Sequence, residues 1–442
     1  MMRLHAKSSI AAVLVCALLT SAVACAQQTM SNQDRQLFME ILRTAHSEVQ
    51  KHYYDPKFGG LDWDARYRQF TDAMANARSR GQAFHLVGAY LAGLKDSHTY
   101  FIPPDRVNHL ELGYQLSLVG DDCFVTQIRP KTDAESKLHI GDQVLTLNGY
   151  TVERSDFFDL LFAVQVLEPQ QTLRLGLKSP DGSQRMADVD SIVIPGRMLI
   201  DLTPSSEFDR PDMERQIEME EHLLRARLVE FGDVAILKLP EFFFDMDAVD
   251  RIMKRAGKDR ALILDLRGNP GGSAETLKWV VGSLFDHDVK ISDRLGRKPA
   301  KPLIAKAQKD AFAGKLIVLV DGGSASASEL LARVVQLEHR GTILGDKTAG
   351  AVMESDVFAE SSGVNTVVLY GFSVTAFDLV MADGKSLEKV GVTPDETILP
   401  TGADLAAGRD PVLARAAQLV GVKLDAAEAG KMFPFEWMPL KR

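Results

Sequence analysis

Apolar and polar residues follow three different periods along this chain, and each period predicts a different kind of structure. Across residues 32–94 apolar side chains recur at helical intervals, as at Leu37 and Ile41, so this part is predicted to be helical. It ends in the polar loop "GLKDSHTYFIP" (93–103). We place the N-terminal helical region, with this loop, at residues 25–112.

Residues 113–195 have a shorter period. The stretches "YQLSLVG", "CFVTQI" and "QTLRLGL" are strand-like, and Asn148-Gly149 is typical of a hairpin turn. The stretch "FFDLLFAVQ" predicts a short helix among the strands. We therefore expect a small separate β-rich module here, followed by a charged connector at residues 196–221.

Strands and helices alternate in the third region, residues 222–400. The runs "VAILKLP", "ALILDLRG" and "KLIVLVDGG" are strongly apolar, whereas "DMDAVDRIMKRAG", "SAETLKWVVGSLF" and "ASELLARVVQLEH" predict the intervening helices. This rhythm is typical of a largely parallel sheet with helices on both faces. The predicted fold class is α/β, with residues 401–442 as a helical or loose C-terminal tail.

The first residues have the pattern of an export signal. Arg3 and Lys7 precede an apolar run at 10–19, and small residues follow it. The run is too short to span a bilayer comfortably. We expect residues 1–24 to be a signal peptide and the protein to be exported.

Two cleavage positions remain open. Cleavage after Ala24 would leave Cys25 at the new N-terminus, which resembles a bacterial lipoprotein signal although Ala22 stands where Leu is usual. The chain would then be tethered to the membrane, as in an outer-membrane lipoprotein, through lipid on Cys25. Cleavage after Ala26 would give a soluble periplasmic or secreted chain.

Composition narrows the functional classes. A chain of 442 residues with 45% hydrophobic and 25% charged residues is long enough for two or three folded domains. The net charge of −9 gives no electrostatic support to a nucleic-acid partner. Cys123 is the lone cysteine of the expected folded part, and the ten histidines lack ligand spacing. No metal and no cofactor is expected.

Two glycine-bearing corners follow predicted buried strands: "VLVDGGSASASE" (318–329) and "DLRGNPGGS" (265–273). Ligands bind at the carboxyl ends of such strands, where helix N-termini present free N–H groups. A serine there can be held exposed beside amides that stabilise an oxyanion. Ser324 or Ser326 would meet this need, whereas Ser328 is placed as a cap or first-turn residue. A simple turn or capping role remains an equal alternative.

A nucleophilic serine needs a base, and an imidazole base needs a carboxylate that orients it. His98, in "KDSHTYF", is the best placed histidine, whereas His339 falls late in a predicted helix. Glu388, in "ADGKSLEKVGVTPDE", and Asp395 are the competing carboxylates. Spacing does not choose between them.

These motifs together resemble the C-terminal processing (tail-specific) family of serine peptidases, whose core is ClpP/crotonase-like. The resemblance covers most of the mature chain, and the segments that carry it are "YYDPKFGGLDW", "LKDSHTYF", "ALILDLRGNPGG", "LIVLVDGGSASASE", "ILGDKTAGA" and "DGKSLEKVGVTPDE". It implies that the β-rich module is an inserted PDZ-like domain and that the substrate is a peptide or an unfolded protein. The nucleophile falls on Ser326, and the oxyanion hole on Gly271 or Gly272 with the N–H of Ala327.

One departure from the family pattern concerns the base. Many members use a Ser–Lys dyad with the lysine in "TFGKG", but this chain has "TAGAV" (348–352), with Ala351 in the lysine position. Alanine cannot take a proton, and Lys347 falls in a turn that is expected to be solvated. The chain resembles instead the tricorn-like branch, which implies a triad of Ser326, His98 and Glu388, assisted through a hydrogen bond by Ser97.

We therefore expect an exported serine endopeptidase. The alternative is a catalytically inactive envelope protein that captures peptides with the PDZ-like module and the cleft, and loss of the dyad lysine motivates it. A crotonase-like acyl-CoA enzyme shares the presumed core, but an export signal and a PDZ-like block do not fit it.

Overall fold

The computed structural model describes residues 30–104, 106, 108–195, 225–243, 246–362, 368–438 and 440. The expected signal peptide with Cys25 and the expected connector at 196–221 lie outside these residues. None of the helices that are described is long and apolar enough to cross a membrane. The same described part contains no group of three His, Cys, Asp or Glu side chains that could hold a metal ion.

The N-terminal region is helical, as its apolar spacing predicts. Its helices are α1 (Asn32–His52), α2 (Trp63–Ala75) and α3 (Arg80–Ala92). Each begins where a polar side chain accepts a backbone N–H of the first turn, as Ser31 does from Asp34 at 3.0 Å. The loop that carries His98 follows α3 and leads into the short strand β1 (Tyr100–Ile102).

The β-rich module is built on an antiparallel sheet. In chain order its elements are β2 (Asn108–Glu111), β3 (Tyr114–Val119), β4 (Asp122–Ile128), α4 (Asp133–Lys137), β5 (Gln143–Leu147), β6 (Tyr150–Thr151), α5 (Phe157–Phe162), β7 (Thr172–Lys178), β8 (Gln184–Asp190) and β9 (Ile192–Pro195). The strand order is β3-β4-β5-β7-β8, and β6 pairs with β5 across the predicted Asn148-Gly149 turn. β2 and β9 pair with each other as a two-stranded neck at the entry and exit of the module.

The third region contains the main sheet. In chain order its elements are β10 (Arg227–Phe231), β11 (Val234–Lys238), α6 (Met246–Ala256), β12 (Ala261–Asp265), α7 (Ala274–Gly282), β13 (Val289–Leu295), β14 (Leu303–Ala305), β15 (Lys315–Val320), α8 (Ala327–Leu337), β16 (Gly341–Gly345), β17 (Met353–Ser362), β18 (Val368–Met381) and β19 (Glu396–Thr397). The six-stranded order is β10-β11-β12-β15-β16-β19, and only the β10–β11 pair is antiparallel. This is the α/β core that the apolar runs predict.

Both faces of this sheet are covered, which explains why its strands are apolar throughout. All five residues of β12 are buried. On one face the sheet packs against α6, α7 and α8. On the other face Ile263 and Ile317 pack against Leu413 and Ala416 of a helix that follows the core.

That helix belongs to the C-terminal segment, which was expected to be a helical or loose tail. The segment contains α9 (Gly402–Ala406), α10 (Pro411–Leu419) and α11 (Ala426–Ala429). Leu413, Ala416 and Ala417 of α10 are fully buried. This segment therefore helps to cover the main sheet, and the described residues beyond Ala429 form neither helix nor strand.

A second sheet, which the apolar pattern does not reveal, joins the N-terminal helices to the core. Its order is β1-β18-β13-β14, with β17 paired along β18. Tyr370, Phe372 and Val374 of β18 pack into the same buried cluster as the aromatic residues of α1 to α3. The N-terminal helices are therefore fixed to β18, and the His98 loop is held against the core.

Candidate active site

The corner after β15 separates the three serines of "SASAS" by burial. Ser324 and Ser328 are fully buried. Their hydroxyls donate to Leu266 O at 2.9 Å and to Asn269 O at 3.0 Å, so both bind the corner after β12. Ser326 is only partly buried. Of the three hydroxyls, that of Ser326 is the one that substrate can reach.

Ser326 also has a strained backbone. Its φ of +52° and ψ of −113° lie in a region that residues with a side chain rarely adopt, and it immediately precedes α8. A sharp, strained strand-to-helix turn is the geometry that presents the nucleophilic serine of α/β-hydrolases. Such strain costs on the order of 1–3 kcal/mol and persists only where the surroundings enforce it.

The surroundings of Ser326 include the corner after β12. Asn269, which is fully buried, accepts the N–H of Ala325 on its carbonyl at 3.0 Å. Gly271 lies directly against Ser326, because a Cβ on it would stand 2.7 Å from Ser326 Cβ. The two predicted glycine-bearing corners are therefore one site.

The backbone amides of this site are not equivalent. Gly271 N–H donates to Asn269 Oδ1 at 2.8 Å and is occupied. Within the described residues, the N–H groups of Gly272 and Ala327 donate to no acceptor. Ala327 is the first residue of α8, so the helix dipole also favours negative charge there. Gly272 and Ala327 therefore offer the free donors that an oxyanion requires.

Glu388, Ser97 and His98 form a continuous hydrogen-bonded chain. Glu388 Oε1 accepts the N–H of Ser97 at 2.8 Å, and Oε2 accepts the Ser97 hydroxyl at 2.8 Å. The same hydroxyl lies 2.7 Å from His98 Nδ1. The carboxylate thus acts on the imidazole through Ser97, whereas the chemical argument from the sequence expected it to orient the histidine directly.

Asp96, which sequence reasoning did not single out, holds the histidine loop in place. Its Oδ1 accepts the N–H groups of His98 at 2.9 Å and Thr99 at 2.8 Å. It also accepts the hydroxyl of Thr375, on β18, at 2.5 Å. The loop is therefore attached by its backbone to the second sheet.

The pKa shifts of His98 and Glu388 suit a histidine that acts as a base. Burial lowers the pKa of His98 below its ordinary 6.5, Asp96 opposes that shift, and Lys389 adds to it. Burial raises the pKa of Glu388, while the hydrogen bonds that the carboxylate accepts from Ser97 and Val352 oppose the increase. A neutral imidazole near pH 7 can accept a proton.

The segment that carries Ala351 connects the two halves of the site. Ser326 N–H donates to Ala351 O at 3.0 Å, and the next amide, Val352 N–H, donates to Glu388 Oε2 at 2.9 Å. Ala351, which stands where the resemblance places a lysine, is therefore adjacent to Ser326 but supplies only backbone groups. Lys347 is exposed.

Asp395, the other candidate carboxylate, has a different role. Its Oδ2 accepts the N–H of Ile343 at 2.8 Å, and its Oδ1 accepts the amide of Gln336 at 3.0 Å. Within the described residues no hydrogen bond joins His98 to Ser326. Such contacts are often long in the absence of substrate and shorten when it binds.

Glu329 is a second residue that sequence reasoning missed. It is fully buried, and its carboxylate accepts the N–H of Ser326 at 3.0 Å, of Gly350 at 2.8 Å and of Ala351 at 2.9 Å. The hydroxyl of Thr348 also donates to it, at 2.5 Å. Burial raises its pKa to about 7. The S-x-x-E spacing from Ser326, typical of a helix start, was the available signal.

Residues 233–398 match the family model described as Peptidase family S41. A carboxyl-terminal-processing protease of Picosynechococcus is 26% identical over 81% of this chain and 83% of its own length. Carboxyl-terminal-processing peptidase 3 of Arabidopsis thaliana, described as chloroplastic, is 25% identical over 78% of this chain and 66% of its own length.

Solved structures share the fold. Mature CPAF superposes with a TM-score of 0.63 at 16% identity, covering 84% of this chain and 94% of its own. The photosystem II D1 C-terminal processing protease gives a TM-score of 0.52 at 19% identity, covering 89% and 99%. Family match, relatives and fold agree with the resemblance of the sequence: residues 233–398 match peptidase family S41, and the chain is similar to C-terminal processing proteases over most of its length.

Proposed function

We propose that this protein is an exported serine endopeptidase that hydrolyses peptide bonds with Ser326 as nucleophile and His98 as base. The observation that carries the proposal is the hydrogen-bonded chain from Glu388 through Ser97 to His98 Nδ1. It connects through Val352 and Ala351 to the strained Ser326. A binding protein has no need to maintain a strained serine and an oriented imidazole.

The hydrogen bonds of Ser97 determine which ring nitrogen of His98 carries the hydrogen. The Ser97 hydroxyl has one hydrogen, which it donates to the Glu388 carboxylate. Its oxygen therefore accepts a hydrogen from His98 Nδ1, and the lone pair of the neutral ring lies on Nε2. Nε2 takes the Ser326 proton during attack and returns it to the leaving amine.

The same groups stabilise charge. As Ser326 Oγ bonds to the carbonyl carbon, the carbonyl oxygen becomes negative and is bound by the N–H groups of Gly272 and Ala327. Glu388 stabilises the imidazolium through Ser97. A water molecule, activated by His98 Nε2, then hydrolyses the acyl-enzyme and regenerates the serine.

Substrate class and location follow from the relatives and the sequence. Relatives named as carboxyl-terminal-processing proteases support a polypeptide substrate that is cleaved near its C-terminus. We propose that the module at 113–195 is PDZ-like and binds or admits that polypeptide, since its antiparallel sheet has an edge strand at β3. Residues 1–24 support export, with lipid on Cys25 as one of the two outcomes.

Reaction with a fluorophosphonate probe, followed by peptide mapping, tests the proposal. The probe is expected to label Ser326 in the wild type and to leave Ser326→Ala unlabelled. Ser324→Ala is the matched control, because Ser324 is buried two residues away. A folded wild type that incorporates no probe and cleaves no unfolded polypeptide would instead favour the inactive peptide-binding protein.

A further inference from the structure

The extended tail that follows α11 runs from the core to the β-rich module. At its beginning, Met432 and Phe433 pack against the buried cluster beneath the main sheet. At its end, Met438 O accepts a hydrogen bond from Arg129, which directly follows β4 of the module. The tail thus spans the two parts of the molecule that border the site.

Arginine side chains hold this segment through its backbone carbonyls and its aromatic rings. Arg227 Nη1 donates to Pro434 O at 3.0 Å, and its guanidinium lies 5.3 Å from the centre of the Phe433 ring. Arg129 Nη2 donates to Met438 O at 2.7 Å, and its guanidinium lies 4.7 Å from the Trp437 ring. Each arginine combines a hydrogen bond with a cation–π contact.

Arg129 is an unusual residue for a surface contact. Its side chain is only 9% exposed, and Glu111 of the neck, 2.5 Å away, neutralises it. Its Nε is buried and, within the described residues, has no hydrogen-bond partner. The tail therefore docks, through Met438 O, on a guanidinium that is largely buried and already paired with Glu111.

Residues of the tail also line a cleft between the module and the core. This cleft has a volume of about 560 Å³, and Phe433 and Phe435 line it beside Ser117 of β3, opposite Lys238 and Asp321 at the carboxyl ends of the strands. Asp321 begins the corner that ends at Ser326. The tail therefore lies along a cleft that β3 shares with the carboxyl ends of the main-sheet strands.

The contacts that hold the tail are of a kind that can break. Phe435 is 46% exposed and Met438 45% exposed. Phe435 packs edge to face on Trp437, with ring centres 5.0 Å apart, within the same short segment. The residues from Pro434 to Met438 form neither helix nor strand, and the two arginines bind them near both ends.

We propose that residues 433–438 are an autoinhibitory cover: the chain's own C-terminal segment occupies a peptide-docking surface centred on Arg129 and restrains entry to the cleft until it is displaced. Only the predicted effect of the tail on turnover rests on the proposed peptidase function. Docking of the tail on Arg129 is a binding event that can be measured whether or not the protein is a peptidase.

The binding test uses a fluorescently labelled peptide with the sequence of residues 435–442, "FEWMPLKR", and anisotropy. The peptide is expected to bind a chain shortened to end at Pro434 and to bind the full-length chain about tenfold more weakly, because there the surface is occupied. A peptide with Trp437→Ala should bind the shortened chain about fivefold more weakly, since it lacks the aromatic ring that makes the cation–π contact with Arg129. No saturable binding, or equal affinity for both chains, would overturn the docking.

The turnover test compares full-length wild type with full-length Trp437→Ala on a fluorescently labelled unfolded protein. Weakening the cover is expected to raise kcat/KM about threefold or more, whereas the exposed Leu440→Ala should match the wild type. Unchanged kcat/KM in Trp437→Ala and in the shortened chain would overturn the restraint. If no form, wild type included, cleaves the substrate, the proposed function fails, and the anisotropy result still decides the docking.

Discussion

The hydroxyl of Ser97 donates to Glu388 Oε2 at 2.8 Å and lies 2.7 Å from the neighbouring His98 Nδ1. A carboxylate and an imidazole that are 290 positions apart in the sequence are thereby coupled through one side-chain oxygen. In the proposed mechanism the single O–H hydrogen of Ser97 goes to the carboxylate, which leaves the lone pair of the neutral imidazole on Nε2. The orientation of the base therefore depends on Ser97 as much as on Glu388.

Ser97→Ala is expected to reduce kcat about 100-fold or more while KM changes little, because proton transfer is impaired and substrate contacts are retained. Steady-state kinetics on a fluorogenic peptide measure this split. Ser97→Thr, which keeps the hydroxyl, should restore much of the activity. Wild-type kcat in Ser97→Ala would mean that Glu388 orients the base without the hydroxyl.

Activity should depend on pH through His98. Its pKa is lowered by burial, so the imidazole stays neutral, and able to act as a base, down to below pH 6.5. We expect kcat/KM to fall on the acid side with an apparent pKa below 6.5 and to be retained at pH 7. A pH profile of kcat/KM checks this. With a lysine base, kcat/KM would instead rise only at alkaline pH, where the ammonium loses its proton.

Gly271→Ala should disturb the nucleophile directly. The new Cβ would stand 2.7 Å from Ser326 Cβ, and the φ of +103° adds backbone strain. A displacement of the serine by about 1 Å is expected to lower kcat/KM about 100-fold. Gly232→Ala is the matched control, because its φ of +63° is also positive but nothing lies within 4 Å of the new Cβ. Equal kcat/KM in the two variants would contradict the close approach.

Glu329→Gln should loosen the support beneath Ser326. The two carboxylate oxygens of Glu329 accept four hydrogen bonds. In glutamine an NH₂ group replaces one of these oxygens, so two of the four bonds would face a donor with another donor. We expect the free energy of unfolding to fall by about 1–3 kcal/mol, and kcat to fall more than KM rises. Chemical denaturation and kinetics measure the two effects. A variant as stable and as active as the wild type would show that the carboxylate does not position the nucleophile.

The pKa of Glu329 also predicts a pH dependence of stability that the glutamine variant should lack. Its pKa is about 7 in the folded protein and 4.5 as the ordinary value, so the folded state binds the extra proton between these values. This group alone therefore makes stability fall as pH rises from about 4.5 to 7. The difference between the denaturation midpoints of the wild type and of Glu329→Gln should therefore decrease as the pH rises across this range.

The central sheet could be predicted from the sequence because burial on both faces makes its strands continuously apolar. The strands β11, β12 and β15 and the helices between them lie where the pattern places them. The long strand β18 was not apparent. It has fourteen residues, pairs with β17, β13 and β1 in turn, and packs partly against the N-terminal helices, so no single period describes it.

The candidate site was only partly accessible to sequence reasoning. Ser324, Ser326 and Ser328 share one corner, and only contacts with the β12 corner show that two of them are buried. The choice of Ser326, His98 and Glu388 came from family resemblance, since no local pattern joins residues so far apart. Asp96 and Glu329 act by accepting backbone N–H groups from distant segments, which leaves little trace in the sequence.

The proposed triad is tested most directly by substituting each of the two candidate bases, His98 and Lys347. His98→Ala and Lys347→Ala should both fold, and single-turnover cleavage of a peptide substrate should be abolished in His98→Ala and unchanged in Lys347→Ala. That result would support a serine peptidase in which histidine has replaced the family's lysine. Full cleavage by His98→Ala together with an inactive Lys347→Ala would contradict the triad.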